Sequence, residues 1–259
     1  MEWPLFMGLG ALAGLVAGLL GVGGGLIIVP ALVIILPKLG VQDHVAHLAV
    51  GTSLVSIVFT SLSSVWAHHK RGAVQWPVVS KLAPGIVMGA LIGAGIASRL
   101  PSVVLQRIFG FLELYVAFQL TMNFKPKPHR VLPGPKGMFA VGNVIGMLSA
   151  IVGIGGGTIT VPFLVWSNVK MQKAVATSAA CGLPIALAGG AGFILSGLRQ
   201  GGLPPQSFGY VYGPALIGIV ATSVLFAPIG ADLAHRLPSK HLKRVFALVL
   251  LILAARMLY

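Results

Sequence analysis

The residues best placed to do chemistry in this sequence are two glycine clusters, Gly21-Val22-Gly23-Gly24-Gly25 and Gly153-Ile154-Gly155-Gly156-Gly157. Each splits a long apolar run in two. Glycine breaks a helix through its backbone entropy and by admitting positive φ. A helix broken inside a membrane leaves backbone N–H and C=O groups free, and these survive only where protein lines a cavity. The helix that restarts near Leu26, and its twin near Thr158, would turn free N–H groups and a positive dipole end toward that cavity. That is chemistry for an anion. The backbone of Gly23, Gly24, Gly25, Gly155, Gly156 and Gly157 is therefore the candidate substrate site. The competing reading is that these glycines only let helices pack closely.

Two hydroxyl pairs, Thr52-Ser53 and Thr177-Ser178, occur at the same place after each cluster. Hydroxyls donate to an anion without burying a charge. Ordinary interhelical hydrogen bonding is the alternative. Asn143 precedes the second break and is a weaker candidate. Glu113 is the one acid deep inside an apolar run, and intramembrane acids default to functional hypotheses. It could carry a coupling proton; a salt bridge to another helix is the plainer role. Asp232 and Arg236, four residues apart, read as a pair at a helix end.

Other constellations are weaker. His44 with His47, and His68-His69, have no cysteine and few carboxylates around them, so interfacial histidines are expected and no metal or other cofactor. The single cysteine, Cys181, sits in an apolar run and reads as a packing residue. Gly8-x-Gly10-x-x-Ala13 matches a dinucleotide pattern only formally, because no strand precedes it and no acid follows at the right distance. No Gly-x-Ser-x-Gly elbow is present, so no catalytic residues and no enzyme are expected.

The elements that must position these residues follow from composition. Only 8% of the 259 residues are charged and 56% are hydrophobic, against roughly 25% charged in a soluble domain. Mean hydropathy is +0.96. This excludes a soluble globular protein and a disordered one. The net charge of +14 is no nucleic-acid signature, since the basic residues stand singly between apolar runs rather than on one polar face. The N-terminus shows no basic region or cleavage site before its apolar run, so no cleaved signal peptide is expected. Apolar runs fall at about 3–20, 26–36, 45–67, 76–98, 103–123, 137–152, 158–168, 172–198, 207–234 and 241–258. Several reach the roughly 20 residues a spanning helix needs and do not alternate as barrel strands do. The expectation is an all-α polytopic membrane protein.

The two halves repeat each other. Gly14, Gly21, Gly23–Gly25, Val29 and Pro30 match Gly146, Gly153, Gly155–Gly157, Val161 and Pro162 at an offset of 132. Ala49-Val50-Gly51-Thr52-Ser53 matches Ala174-Val175-Ala176-Thr177-Ser178 at 125, Pro84 matches Pro214, and Leu100-Pro101 matches Leu237-Pro238. This organises the chain as transmembrane repeat 1 (1–123), a basic Pro-rich linker (124–136) and transmembrane repeat 2 (137–259). If each glycine-split pair counts as one crossing, the eighteen basic residues divide evenly between the two faces. If each pair enters and leaves on one side, five (Lys38, Arg99, Arg107, Arg199, Arg256) fall on one face and the other thirteen opposite. Cytoplasmic loops carry the basic excess, so the second arrangement is favoured. It makes two inverted repeats, each with one glycine-broken helical hairpin plus three spanning helices, and puts the linker in the cytoplasm.

Gly21 to Pro30 followed by Ala49 to Ser53, both repeated at Gly153 to Pro162 and Ala174 to Ser178, resembles the TauE/SafE sulfite exporter family of membrane permeases. The resemblance covers essentially the whole chain. Ala176 replaces the glycine of the first Ala-Val-Gly-Thr-Ser, and Thr158 and Thr160 replace Leu26 and Ile28, which would make the second half-site more polar. The resemblance implies a transporter, often an exporter, of small sulfur-containing anions such as sulfite or organosulfonates in the bacterial inner membrane. An anion channel is the alternative within the same scaffold, and an intramembrane enzyme a more distant one. The expected partners are a small anionic substrate and the lipid bilayer, with no nucleic acid and with a homodimer as one assembly open to it.

Overall fold

A computed structural model describes residues 2–122, 131–236 and 239–258, with side chains for all of these except 235–245. Most of the expected linker, and Leu237-Pro238, lie outside the described residues. Ten helices follow the apolar runs closely: α1 (Trp3–Leu20), α2 (Gly25–Lys38), α3 (Val45–Lys70), α4 (Trp76–Ala97), α5 (Ser102–Thr121), α6 (Pro135–Val152), α7 (Gly157–Trp166), α8 (Met171–Gly197), α9 (Gly213–Arg236) and α10 (Ser239–Leu258). Seven of them are long and apolar enough to cross a membrane. The one departure lies at the start of the ninth run, where Ser207–Phe208 and Val211–Tyr212 form a short antiparallel hairpin before α9. Gly209 makes its tight turn at φ +57°. The protein is an all-α, multi-pass membrane protein.

Small residues set the closest helix contacts. Gly10, Gly14 and Gly18 recur every fourth residue along α1 and lie directly on the α9 backbone at Ile219, Ser223 and Ala227. Gly85, Gly89 and Gly93 do the same along α4 against α6, at Phe139, Asn143 and Met147. In lipid there is little hydrophobic drive between helices, so van der Waals packing at small residues supplies the association. The outward faces are apolar: Leu62, Phe111, Tyr115, Phe118, Leu195, Ile217 and Leu225 are all exposed. The four tryptophans, Trp3, Trp66, Trp76 and Trp166, are exposed near helix ends, where aromatic belts meet the membrane surface.

The helix pairings are reciprocal. α1 packs on α9, and its repeat counterpart α6 packs on α4; α3 meets α8, and α5 meets α10. Pro84 and Pro214 do not correspond in place, since Pro84 lies inside α4 and Pro214 in the first turn of α9. At one end of the bundle the 207–212 hairpin gathers the starts of α1, α3 and α9: Phe6 and His47 both contact its tyrosines. The start of α5 joins them, with the Ala46 N–H donating to Ser102 Oγ at 2.9 Å. Because α2 runs by a short loop into α3, the α1–α2 pair returns to the end from which it began. The α6–α7 pair does likewise at the opposite end, where α4 and α6 start together and the start of α8 meets Gln75.

Candidate functional site

Each glycine cluster ends one helix and begins the next. Gly21 and Gly153 close α1 and α6 at φ +67° and +77°, in the left-handed region where glycine carries no steric penalty. Gly24 and Gly156 open α2 and α7 at φ +83° and +76°, without any side-chain cap. The first amides of such a helix have no intrahelical partner. Ile27 and Ile28 are the first to return a bond, both to the Gly24 carbonyl. In α7 the same part is played by Ile159 and Thr160 toward Gly156.

The fold brings the two turns into direct contact. The Gly155 N–H donates to the Val22 carbonyl at 3.0 Å. Gly25 backs onto the Gly153 carbonyl, and Gly157 onto the Gly21 carbonyl. A Cβ added at Gly23 would stand 3.0 Å from Gly155 Cα and 3.1 Å from Ile57, midway along α3. Gly182, near the middle of α8, faces the Gly155 carbonyl from the other side. The crossing therefore sits halfway along the two longest helices. A closed crevice beside it, too tight to admit a water molecule, is lined by Ala17, Gly21, Gly23, Thr60, Ser61, Ser64, Gly155 and Ala179.

The duplicated hydroxyl pairs lie next to this crossing, and each bonds into the opposite half. Ser53 Oγ donates to the Gly153 carbonyl at 2.8 Å, and Ser178 Oγ to the Gly21 carbonyl at 3.3 Å. Thr52 Oγ1 accepts from the Tyr212 N–H at 2.9 Å, and Thr177 Oγ1 from the Gln75 N–H at 3.1 Å. All four side chains are fully buried. The serines spend their hydroxyl hydrogens on the turns, while the threonines accept and keep theirs. Each pair thus fastens a glycine turn and a helix start of the other half. Ser53→Ala is expected to lower the midpoint of thermal unfolding by about 2–4 °C, for the ~1 kcal/mol of a buried hydrogen bond. Ser178→Ala, with the longer bond, should cost less. Equal effects, or none, in a thermal-shift assay would contradict this role.

Other expected residues fall away from the crossing. Asn143 packs its backbone against Gly85 and Gly89 in the α4–α6 contact. Glu113 is fully buried on α5, which packs chiefly on α10. Neither of its carboxylate oxygens has a hydrogen-bond partner among the described residues, so the salt bridge considered for it is not made there. Asp232 pairs with Arg71 of α3, tying α3 to α9; the side chain of Arg236, its expected partner, lies outside the described residues. His47 is buried, stacked on Tyr210 at 4.9 Å, with Nε2 3.2 Å from the Ala97 carbonyl. His68 is buried too, and His69 Nδ1 accepts from Trp76 Nε1 at 3.1 Å. Two of the four histidines expected at the interface are thus interior ones. No group of three metal-binding side chains forms among the described residues. Cys181 is buried inside α8.

Among the buried hydroxyls near the crossing, sequence reasoning noted Thr158 and Thr160 as polar replacements and passed over Ser149. Ser149, Thr158 and Thr160 have no hydrogen-bond partner among the described residues. Ser149 Oγ and Thr160 Oγ1 would each lie 3.4 Å from a Cβ at Gly156. The substitution of Leu26 and Ile28 by Thr158 and Thr160 was their visible signal. Ser149, which stands where the first half has Ala17, gave none.

Apolar helices long enough to span a membrane surround two glycine-broken ones whose turns meet halfway along α3 and α8, a construction met in helical membrane transporters. The family model described as "Sulfite exporter TauE/SafE" matches residues 6–257, and the chain belongs to that family. A probable membrane transporter protein of Haemophilus influenzae is 39% identical over 250 residues, covering 96% of this chain and 95% of its own. A probable membrane transporter protein of Methanocaldococcus jannaschii is 25% identical over 261 residues, covering 98% and 95%. No solved structure gives a significant match. The protein is a multi-pass membrane transporter of the TauE/SafE type and not an enzyme.

Proposed function

We propose that this transporter exports a small sulfur-containing anion, such as sulfite or an organosulfonate, by alternating access between two inverted repeats, residues 1–123 and 137–259, joined by the linker 124–136. One observation carries the reading: the two uncapped helix starts meet at the Gly23–Gly155 contact, halfway along α3 and α8. Backbone N–H groups around Gly23–Gly25 and at Gly156 and Gly157 hold the oxygens of the anion; the Gly155 N–H, expected among them, is spent on the Val22 carbonyl, and Thr52, Ser53, Thr177 and Ser178 keep the turns in place. The family description supports sulfur, which a backbone N–H alone does not select.

Reciprocal packing of α1 on α9 and α6 on α4, with the two broken hairpins opening at opposite ends, supports the inversion. The five basic residues of the minority face all belong to helix ends on the side of the 207–212 hairpin. The end that holds Lys70, Arg71, Lys81, Lys136, Lys170 and Lys173 is then cytoplasmic. Glu113 carries the coupling proton in this scheme, and its buried, unpartnered carboxyl supports that role.

The test is flux in proteoliposomes with sulfite, thiosulfate, sulfate, taurine and sulfoacetate. Saturable accumulation of at least one sulfur anion against a gradient is expected. Ohmic current would make the protein a channel, and no flux of any of the five would remove the substrate assignment. Glu113→Gln should flatten the pH dependence and slow flux by about a hundredfold, the low end for loss of a positioned acid–base group. Unchanged rate and pH dependence would exclude Glu113 from coupling.

A further inference from the structure

The first half carries a buried polar stripe that the second half lacks. On α3, Ser53, Ser56, Thr60, Ser64 and His68 recur at three- and four-residue spacing, which places them on one helix face. Ser61 flanks them. None of the six is more than 3% exposed. The matching positions on α8, at an offset of 125, are Ser178, Cys181, Ile185, Gly189 and Phe193. Beyond the glycine crossing, α3 stays polar and α8 turns apolar.

Buried hydroxyls are costly without partners. Ser56 Oγ donates to the Ser53 carbonyl at 2.8 Å, and Thr60 Oγ1 shares a hydrogen bond with Ser223 Oγ at 2.9 Å. Ser64 Oγ is buried and bonds to nothing among the described residues. It lines the closed crevice with Thr60, Ser61, Ala17, Gly23 and Gly155, so its hydroxyl, without a partner among the described residues, lies beside the crossing in a passage that must widen before an anion can enter. From there the stripe leads to His68 and to the bundle end that carries Lys70 and Arg71.

We propose that this face of α3, from Thr60 through Ser61 and Ser64 to His68, is the hydrophilic wall of the route along which the transported anion moves between the glycine crossing and that end. Hydroxyls offer donors without fixed charge, so they replace part of an anion's hydration and still release it, which conduction requires. Lys70 raises the local anion concentration at the mouth, while the charge of Arg71 is paired with Asp232. The proposal rests on the transport reading above, though not on sulfur in the substrate.

Single-cysteine labelling tests it, in a Cys181→Ala background that retains flux. Ser61→Cys and Ser64→Cys should react with a sulfonated methanethiosulfonate reagent added at the Lys70–Arg71 end. Saturating transported anion should slow the reaction. Leu62→Cys, on the exposed face between them, should stay unreactive to this charged, water-borne reagent. Ser64→Ala should cut flux about tenfold, the loss of one hydrogen bond to a charged group. Labelling of Leu62→Cys as fast as Ser64→Cys would overturn the route. So would unreactive cysteines at 61 and 64 in a protein that still transports. If both label without protection by any sulfur anion, the substrate assignment fails and the route stands.

Discussion

Gly155→Ala is expected to abolish transport in a protein that still folds and inserts. Gly155 lies where the two turns cross, and its own φ lies outside the left-handed region. The added methyl therefore acts through space alone. It would stand 2.8 Å from the Val22 carbonyl oxygen, 3.0 Å from Gly23 Cα and 3.2 Å from Gly23 N. All three are backbone atoms, so no side chain can rotate to make room. The turns must part by several tenths of an ångström. The Gly155 N–H bond to Val22 lengthens with them, and overpacking of this kind costs about 1–3 kcal/mol. The bundle is held mainly by contacts elsewhere, along α1–α9 and α4–α6, so the cost falls on the site. Proteoliposome flux should drop by about two orders of magnitude or more, the scale of a few kcal/mol, with an unchanged size-exclusion profile. Gly95→Ala is the matched control, because a Cβ there meets nothing within 4 Å. Equal flux in both variants would show that the crossing is not the site.

The second large effect is on the fold. Gly89→Val should prevent recovery of monodisperse protein. A Cβ at Gly89 runs into the Asn143 carbonyl oxygen and comes within 2.7 Å of its carbon and 2.9 Å of its Cα. Gly146, one turn farther along α6, is held equally close to the Ile86 carbonyl. These glycines set the axial separation of α4 and α6. Valine would force the helices apart and give up the van der Waals contacts that replace the hydrophobic effect in lipid. The expected loss is about 3 kcal/mol or more, read as aggregation on size exclusion or a large drop in thermal midpoint. Gly14→Val should behave alike, since Gly14 rests on the Ser223 backbone of α9. A stable Gly89→Val protein would mean that α4 and α6 are not fastened there.

Much of this was legible in the residues. Few charges and long apolar runs dictate membrane helices, because water and lipid sort side chains by polarity irrespective of the final topology. Gly21–Gly25 and Gly153–Gly157 announced breaks, since their backbone preference is local. The duplication was readable as residue identity at fixed offsets. The buried stripe Ser56, Thr60, Ser64, His68 has helical spacing in the sequence, yet serines on a membrane helix face lipid, a neighbour or a crevice with the same spacing.

What a residue touches across the bundle was decided by tertiary structure alone. Thr52 and Ser53 have the types an anion site wants, and the fold directs them to Tyr212 and Gly153 in the other half. Asp232 has Arg236 four residues away, and the approach of α3 gives it Arg71. That each broken pair turns back to its own end depends on which helix starts gather at the 207–212 hairpin and at Gln75. Periodicity and glycine content act over a few residues and are written in the chain. Contacts more than a hundred residues apart exist only once ten helices have chosen their neighbours, and that choice placed Gly23 against Gly155.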